Sequence, residues 1–240
     1  MIITEHFVLL NYPKTGTTFA REIVKRAYAS RQSLFQKGLS LVGLKPPLVR
    51  ELILPKLRPN GRTDPSYLDQ HGKMRQVPTQ YLDRDIVSIV RNPVDRYLSM
   101  YHYRFWLGFS SFKGPEVVAR YPHFPDLTFD EYFDWLQEHE APKFLRMLSS
   151  KKKYGYQTLT FINFFFSDPV AVIESLERGT DEYLTEFRKI RFMRQECLNE
   201  ELATMLMSYG FSSDELSFVS SAERLNESAN NTQKTRTQVS

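Results

Sequence analysis

The sequence predicts an α/β protein with a central parallel sheet flanked by helices. Phe7-Val8-Leu9-Leu10 is a short continuous apolar run, the form taken by a strand buried on both faces of a parallel sheet. Ile86 to Val90 is a second short, β-branched run of the same kind. Each is followed by a turn and then by a segment with helical spacing, so strand, turn and helix occur in that order twice. At 240 residues the chain is long enough for one large α/β domain with a substantial core. The expected extent is one domain over residues 1–225, with a polar tail over 226–240 that is mobile without ligand.

In the first unit, Phe19 to Tyr28 place Ile23, Val24 and Ala27 on one side of a helix, with Arg21, Glu22, Lys25 and Arg26 mostly on the other. Between strand and helix lies Asn11-Tyr12-Pro13-Lys14-Thr15-Gly16-Thr17-Thr18. Gly16 allows close approach of the backbone to a ligand, and the amides that open the helix lack intrahelical partners. Lys14 adds a full positive charge, and Thr15, Thr17 and Thr18 add hydroxyl donors. This is an anion site suited to a phosphate or sulfate group. The nucleoside-triphosphate P-loop ends in Gly-Lys-Ser/Thr, whereas here the lysine precedes the glycine.

From Ser30 to Asp69 the periodicity weakens, broken by Gly38, Gly43, Pro46, Pro47, Pro55, Pro59, Gly61 and Pro65. A helix is expected near Leu48 to Leu57, and the rest reads as loop that could fold over a site. In the second unit, Asn92-Pro93 ends the strand and Val94 to Phe105 reads as a helix with Pro93 near its first turn. Arg91 therefore leaves the carboxyl end of a strand, the edge where open parallel sheets bind ligands. Ser99, on the second turn of that helix, is placed to share a phosphate with it.

Farther along, Leu127 to Glu138 predicts an amphipathic helix opened by the capping box Thr128-Phe-Asp-Glu. Tyr156 to Phe166 alternates and then runs apolar, which fits a strand or a buried segment. Pro169 to Leu176, Thr180 to Arg188 and Leu198 to Tyr209 read as helices, the last stopped by Gly210.

Lys and Arg total 32 against 28 for Asp and Glu, a formal net charge of +4. That small excess suits an anionic nucleotide ligand but not a nucleic-acid-binding face. The single cysteine, Cys197, excludes an intrachain disulfide and a multi-cysteine zinc site. No convincing ligand cluster for a metal is evident. Met1 leads almost directly into the first strand and no run of about 20 apolar residues occurs, so a soluble, cytoplasmic protein without a membrane span is expected.

Tyr12-Pro-Lys-Thr-Gly-Thr-Thr resembles the 5′-phosphosulfate loop of sulfotransferases that use 3′-phosphoadenosine 5′-phosphosulfate (PAPS). Arg91-Asn-Pro-Val-Asp-Arg-Tyr-Leu-Ser-Met-Tyr is similar to their 3′-phosphate motif, Arg-x-Pro-x-x-Arg-x-x-Ser-x-Tyr, at Arg91, Pro93, Arg96, Ser99 and Tyr101. The resemblance implies a P-loop-like three-layer fold and transfer of a sulfuryl group from PAPS to a hydroxyl or amine of a carbohydrate or small-molecule acceptor. It implies that Pro13, Lys14, Thr15, Gly16, Thr17 and Thr18 line the 5′ side of the cofactor site, that Arg91 and Ser99 hold the 3′-phosphate, and that Phe19 stacks on adenine where the family often has a tryptophan. Lys14 is then catalytic as well as binding. His71 lies between the two motifs where many cytosolic members carry a catalytic histidine, although Gln70 stands in place of the preceding threonine and Pro78 is distant. Glu51 and Asp64 are the rival bases, since some carbohydrate-type members use glutamate. Phe192 to Leu202 and Arg224 to Ser228 look like the late region of the carbohydrate-type members, and the family's usual Arg-Lys-Gly nucleotide loop is absent. The competing readings are a P-loop nucleotide kinase or NTPase, and a nucleotide-binding protein without chemistry.

Overall fold

The computed structural model describes residues 1–31, 47–58, 61–108 and 115–222. Five strands form the main sheet: β1 (Ile2–Thr4), β2 (Phe7–Leu10), β3 (Val49–Glu51), β6 (Asp85–Val90) and β7 (Ile190–Arg194), in the order β3-β1-β2-β6-β7. β2, β6 and β7 are parallel neighbours, with Phe7 opposite Asp85 and Ile86 opposite Ile190. β1 runs antiparallel between β3 and β2. Strands β4 (Leu54–Leu57) and β5 (Thr63–Asp69) make a separate two-stranded antiparallel sheet.

The apolar run of β2 is continuous because the strand feeds two cores. Phe7 and Leu9 pack on one face against α1 (Thr17–Ser30) and the later helix α9 (Leu198–Ser208). Val8 and Leu10 pack on the other face, among residues of α2 (Pro93–His102), α4 (Phe129–Trp135), α5 (Ala141–Met147), α6 (Tyr156–Phe165) and α7 (Pro169–Arg178). All four are fully buried. Truncating Leu9 to alanine is expected to cost about 2–5 kcal/mol. Short helices α3 (Pro115–Arg120), α8 (Leu184–Phe187) and α10 (Ser217–Ser221) complete the described helices, and none is long and apolar enough to cross a membrane.

Local chemistry accounts for the ends that position the site. α1 starts from Gly16 in the left-handed region, φ 87°. α2 starts from Asn92, whose Oδ1 accepts the Val94 amide at 2.9 Å, with Pro93 as its first residue. The Thr128–Glu131 capping box opens α4 as its sequence predicts, and the helical path continues through a wider turn at Leu136–Glu140 into α5.

Three expectations are corrected. Leu48 to Leu57 is not a helix. Pro55 cannot donate within one, and Val49–Glu51 instead pairs with the free edge of β1 while Leu54–Leu57 pairs with β5. Of the two forms expected for Tyr156 to Phe166 the strand is corrected and the buried segment holds: Tyr156–Phe165 is a helix whose buried residues include Tyr156, Leu159, Ile162 and Asn163, a helical spacing hidden by the aromatic run at its end. Of Thr180 to Arg188 only Leu184–Phe187 is helical. Gly38, Gly43, Pro46, Pro59, Arg224 and the tail expected at 226–240 lie outside the described residues.

Candidate active site

The loop after β2 is folded around the Tyr12 carbonyl. Thr15 Oγ1 donates to it at 2.8 Å and Thr17 Oγ1 at 3.5 Å, and both threonines are buried. Their hydroxyl protons thus point into the loop, while Thr18 is exposed at the helix start. Ala20 N–H reaches back to the Gly16 carbonyl, so the amides of Thr17, Thr18 and Phe19 precede the first helical bond and face outward. A Cβ on Gly16 would stand 3.0 Å from Leu198 Cδ2 and 3.2 Å from Gln195 Cγ. The tight approach of α9 and the positive φ both select glycine.

Lys14 and Arg91 lie beyond the carboxyl ends of the adjacent parallel strands β2 and β6. Burial, and then the charge of Arg91, hold the Lys14 ammonium below its ordinary pKa. Burial also lowers Arg91, opposed by Asp95 and Glu196 nearby. The Arg91 Nε is buried with no hydrogen-bond partner among the described residues. Lys14 itself has a positive φ of 66°, and its Nζ lies 3.8 Å from the centroid of the Tyr103 ring. Two partly desolvated cations side by side repel each other, and an anion between them relieves that repulsion.

α2 presents one face to this loop. Arg96, 4% exposed, donates from Nε to the Pro13 carbonyl at 3.1 Å and from Nη1 to Gln157 Oε1 at 2.9 Å, and its guanidinium lies 4.2 Å from the centroid of the Tyr12 ring. Tyr103 is seven residues on and touches Lys14. Ser99 falls between them on the same helical face, so its side of α2 is the side that meets Pro13 and Lys14. Tyr101 instead donates its hydroxyl to the Leu127 carbonyl at 2.8 Å, away from the loop.

His71 flanks the same loop from the other direction. Its Nδ1 is 2.7 Å from the Asn11 carbonyl, and its own amide donates to Asp69 Oδ1 at 2.8 Å. A carbonyl only accepts, so Nδ1 carries the proton and Nε2 keeps its lone pair in the neutral ring. Burial pushes the imidazole below its ordinary pKa, with the Asn11 carbonyl and Asp69 opposing. Asn11 Nδ2 and Arg21 both bond to Gln70, the first to its carbonyl at 3.0 Å and the second to its side chain.

Phe19 is a core residue, 4% exposed and packed with Ile23, Leu198 and Leu202, which corrects its expected role against adenine. Helix α1 must bury one face, and Phe19 lies on it. Glu51 is paired with Arg21 and, at 3.0 Å, with Lys25. Asp64 sits on the exposed hairpin, held by Ser66 and Arg58, which keep its carboxyl below its usual pKa. The sequence reading did not foresee Tyr103, although its place one turn beyond Ser99 was a signal, nor Gln157, which no local pattern marks. No cluster of three or more His, Cys, Asp or Glu able to hold a metal lies among the described residues.

A strand-end lysine and a strand-end arginine beside an open helix N-terminus define an anion-binding α/β site. The model of the sulfotransferase domain matches residues 4–143, more than half of the chain, and the chain belongs to that family, whose reaction is sulfuryl transfer. That span contains both cationic loops and His71. No match was found among curated proteins.

Proposed function

We propose that the protein transfers a sulfuryl group from PAPS to the hydroxyl or amine of an acceptor, through one domain over residues 1–225. The observation that carries this reading is that Lys14 and Arg91, one from each motif, follow the adjacent parallel strands β2 and β6, with the Arg91 Nε buried and unpartnered among the described residues. The donor set fits a ligand with two separated anionic groups. The amides of Thr17, Thr18 and Phe19, with Lys14 and the Thr18 hydroxyl, would hold the 5′ side, and Arg91 with Ser99 the 3′-phosphate.

When bound, the cofactor supplies an activated sulfuryl group and a bisphosphate leaving group. Lys14 stabilises negative charge on the leaving oxygen, as cationic clamps do in phosphoryl transfer. His71, neutral and with Nε2 unprotonated, accepts the acceptor proton. Arg96 fixes the Pro13 carbonyl and so orients Lys14, acting through the loop.

The test is a screen of hydroxyl and amine acceptors with labelled PAPS, with a chelator present. Label transfer that is lost in Lys14→Ala supports the reading. Magnesium-dependent ATP hydrolysis without sulfuryl transfer would replace it with the kinase or NTPase alternative.

A further inference from the structure

Three parallel strands, β2, β6 and β7, end side by side at the site, and the third brings an acidic turn to it. Val90 of β6 lies directly opposite Arg194 of β7, so the residues that follow, Arg91-Asn92 and Gln195-Glu196, leave the sheet as neighbours. The turn Gln195–Cys197 leads into α9 and reaches the first loop as well, since Gln195 and Leu198 are the side chains that a Cβ on Gly16 would meet. Glu201 holds the turn at its start, accepting from the Arg194 amide at 2.5 Å and from Arg194 Nε at 2.6 Å. Residues 195–197 lie beyond the span 4–143 that the family model matches, so the match itself gives Glu196 no role.

Glu196 reaches from this turn to the backbone of the second motif. Its Oε1 accepts the Asn92 amide at 2.7 Å. That amide belongs to the peptide joining Arg91 to Asn92, so the bond fixes the peptide plane on the carboxyl side of Arg91. The residues that follow are pinned independently. Asn92 Oδ1 accepts the Val94 amide at 2.9 Å, the Asn92 carbonyl accepts the Arg96 amide at 2.9 Å, and the Pro93 carbonyl accepts Gln157 Nε2 at 2.8 Å. Helix α2 therefore keeps its start without Glu196, and the Glu196 bond acts on the link between β6 and α2.

A carboxylate beside an anion site has two opposed effects. Its charge repels a phosphate, but Glu196 is exposed, and a screened pair of exposed charges changes affinity by less than about five-fold. Its hydrogen bond is charge-assisted, and a bond of that kind is worth about ten-fold or more. An arginine already held in its binding pose also loses less freedom when the ligand arrives. The positioning effect is the larger of the two.

We propose, resting on the sulfotransferase reading above, that Glu196 is a positioning residue: by holding the Arg91–Asn92 peptide it aims Arg91 at the 3′-phosphate, and so sets part of the preference for a 3′-phosphorylated nucleotide without touching the ligand.

The experiment measures the affinities of adenosine 3′,5′-bisphosphate and AMP by calorimetric titration in wild type, Arg91→Ala, Glu196→Ala and Glu196→Gln. Wild type is expected to prefer the bisphosphate and Arg91→Ala to lose that preference. Glu196→Ala should weaken bisphosphate binding by about ten-fold, while AMP affinity changes by less than about threefold, the scale of an ordinary surface substitution. Glu196→Gln keeps an acceptor for the Asn92 amide and removes the charge, and should stay within about threefold of wild type for both ligands. If Glu196→Ala fails to fold, Glu196→Asp, whose carboxylate is drawn back by one methylene, is measured in its place with the same expected loss. Bisphosphate affinity equal to or above that of wild type in Glu196→Ala overturns the proposal, because the charge alone then acts. An equal loss for bisphosphate and AMP overturns it as well, and so does a glutamine variant as weak as the alanine one. In each of these cases a bisphosphate preference in wild type that Arg91→Ala removes shows that the donor reading survives. Absence of that preference in wild type shows that both fail.

Discussion

The Nε of Arg96 donates to the carbonyl of Pro13 at 3.1 Å, so an arginine on the second motif's helix holds the peptide immediately before Lys14 of the first. The two motifs are thereby one mechanical unit. Arg96→Ala removes two bonds from a buried charged donor, each worth about 1.5–3 kcal/mol. An unfolding free energy lower by about 3–6 kcal/mol, the sum of the two, is expected in a denaturant titration. A loss below about 0.5 kcal/mol, the range of ordinary surface substitutions, would show that the brace is unimportant.

Arg91 is expected to act on the ligand more than on the fold. Adenosine 3′,5′-bisphosphate should raise the thermal midpoint well above the shift given by AMP at equal concentration, because stabilisation follows affinity for the folded state. Arg91→Ala should lose at least about 1.5 kcal/mol of bisphosphate affinity, as expected for a charge-assisted contact, and Arg96→Ala less. Calorimetric titration giving the reverse order, or equal shifts for AMP and bisphosphate, would remove the 3′-phosphate role.

His71→Asn is expected to leave bisphosphate affinity nearly unchanged while slowing transfer by about 10²–10⁴-fold. Lys14→Ala should slow transfer and weaken cofactor binding together. Single-turnover rates of His71→Asn, Glu51→Gln and Asp64→Asn with one confirmed acceptor discriminate among the three candidate bases. A His71→Asn rate within about threefold of wild type, far from the loss expected of a general base, excludes His71.

The pH dependence follows from the lowered pKa of His71. As pH falls, the unfolded chain takes up this proton before the folded one does. The folded protein therefore loses stability as pH falls through the unfolded value of about 6.5 and below. The rate should correspondingly hold its plateau to a pH below about 6.5 before falling. His71→Asn should flatten the acid side of a thermal-midpoint profile measured against pH. An unchanged acid limb would mean that His71 does not sense the burial that surrounds it.

Gly16→Ala is expected to be poorly tolerated. Its φ of 87° costs an L-residue about 1–2 kcal/mol, and its new methyl would meet Leu198 Cδ2 at 3.0 Å. A lower thermal midpoint and weakened bisphosphate binding should appear together. Leu198 is itself buried in the core, so Leu198→Ala lowers the midpoint on its own, and the double variant is expected to lose less than the sum of the two single losses because the truncation makes room for the new methyl.

The amino-acid order by itself determined the two strand–turn–helix units, and with them the placement of Lys14 and Arg91 at strand ends. Local rules suffice there: an apolar run too short for a helix, Gly16 where φ must be positive, and Pro93 where a helix may begin. His71 was marked only by its place between the motifs. Its tautomer and its depressed pKa come from the Asn11 carbonyl and from burial, which no local pattern encodes.

Tertiary structure alone decided the rest. Val49–Glu51 became an edge strand because β1 offered unpaired backbone groups 45 residues or more away in sequence, outweighing any helical preference. Phe19 went to the core because the burial of α1 required its face. Tyr12, Met100 and Phe164 line one space beside Lys14, and side chains that distant are brought together only when helices pack on the sheet. Backbone preference acts over a few residues and can be read along the chain. Hydrogen-bond satisfaction and close packing act between segments, and their outcome exists only once the segments meet.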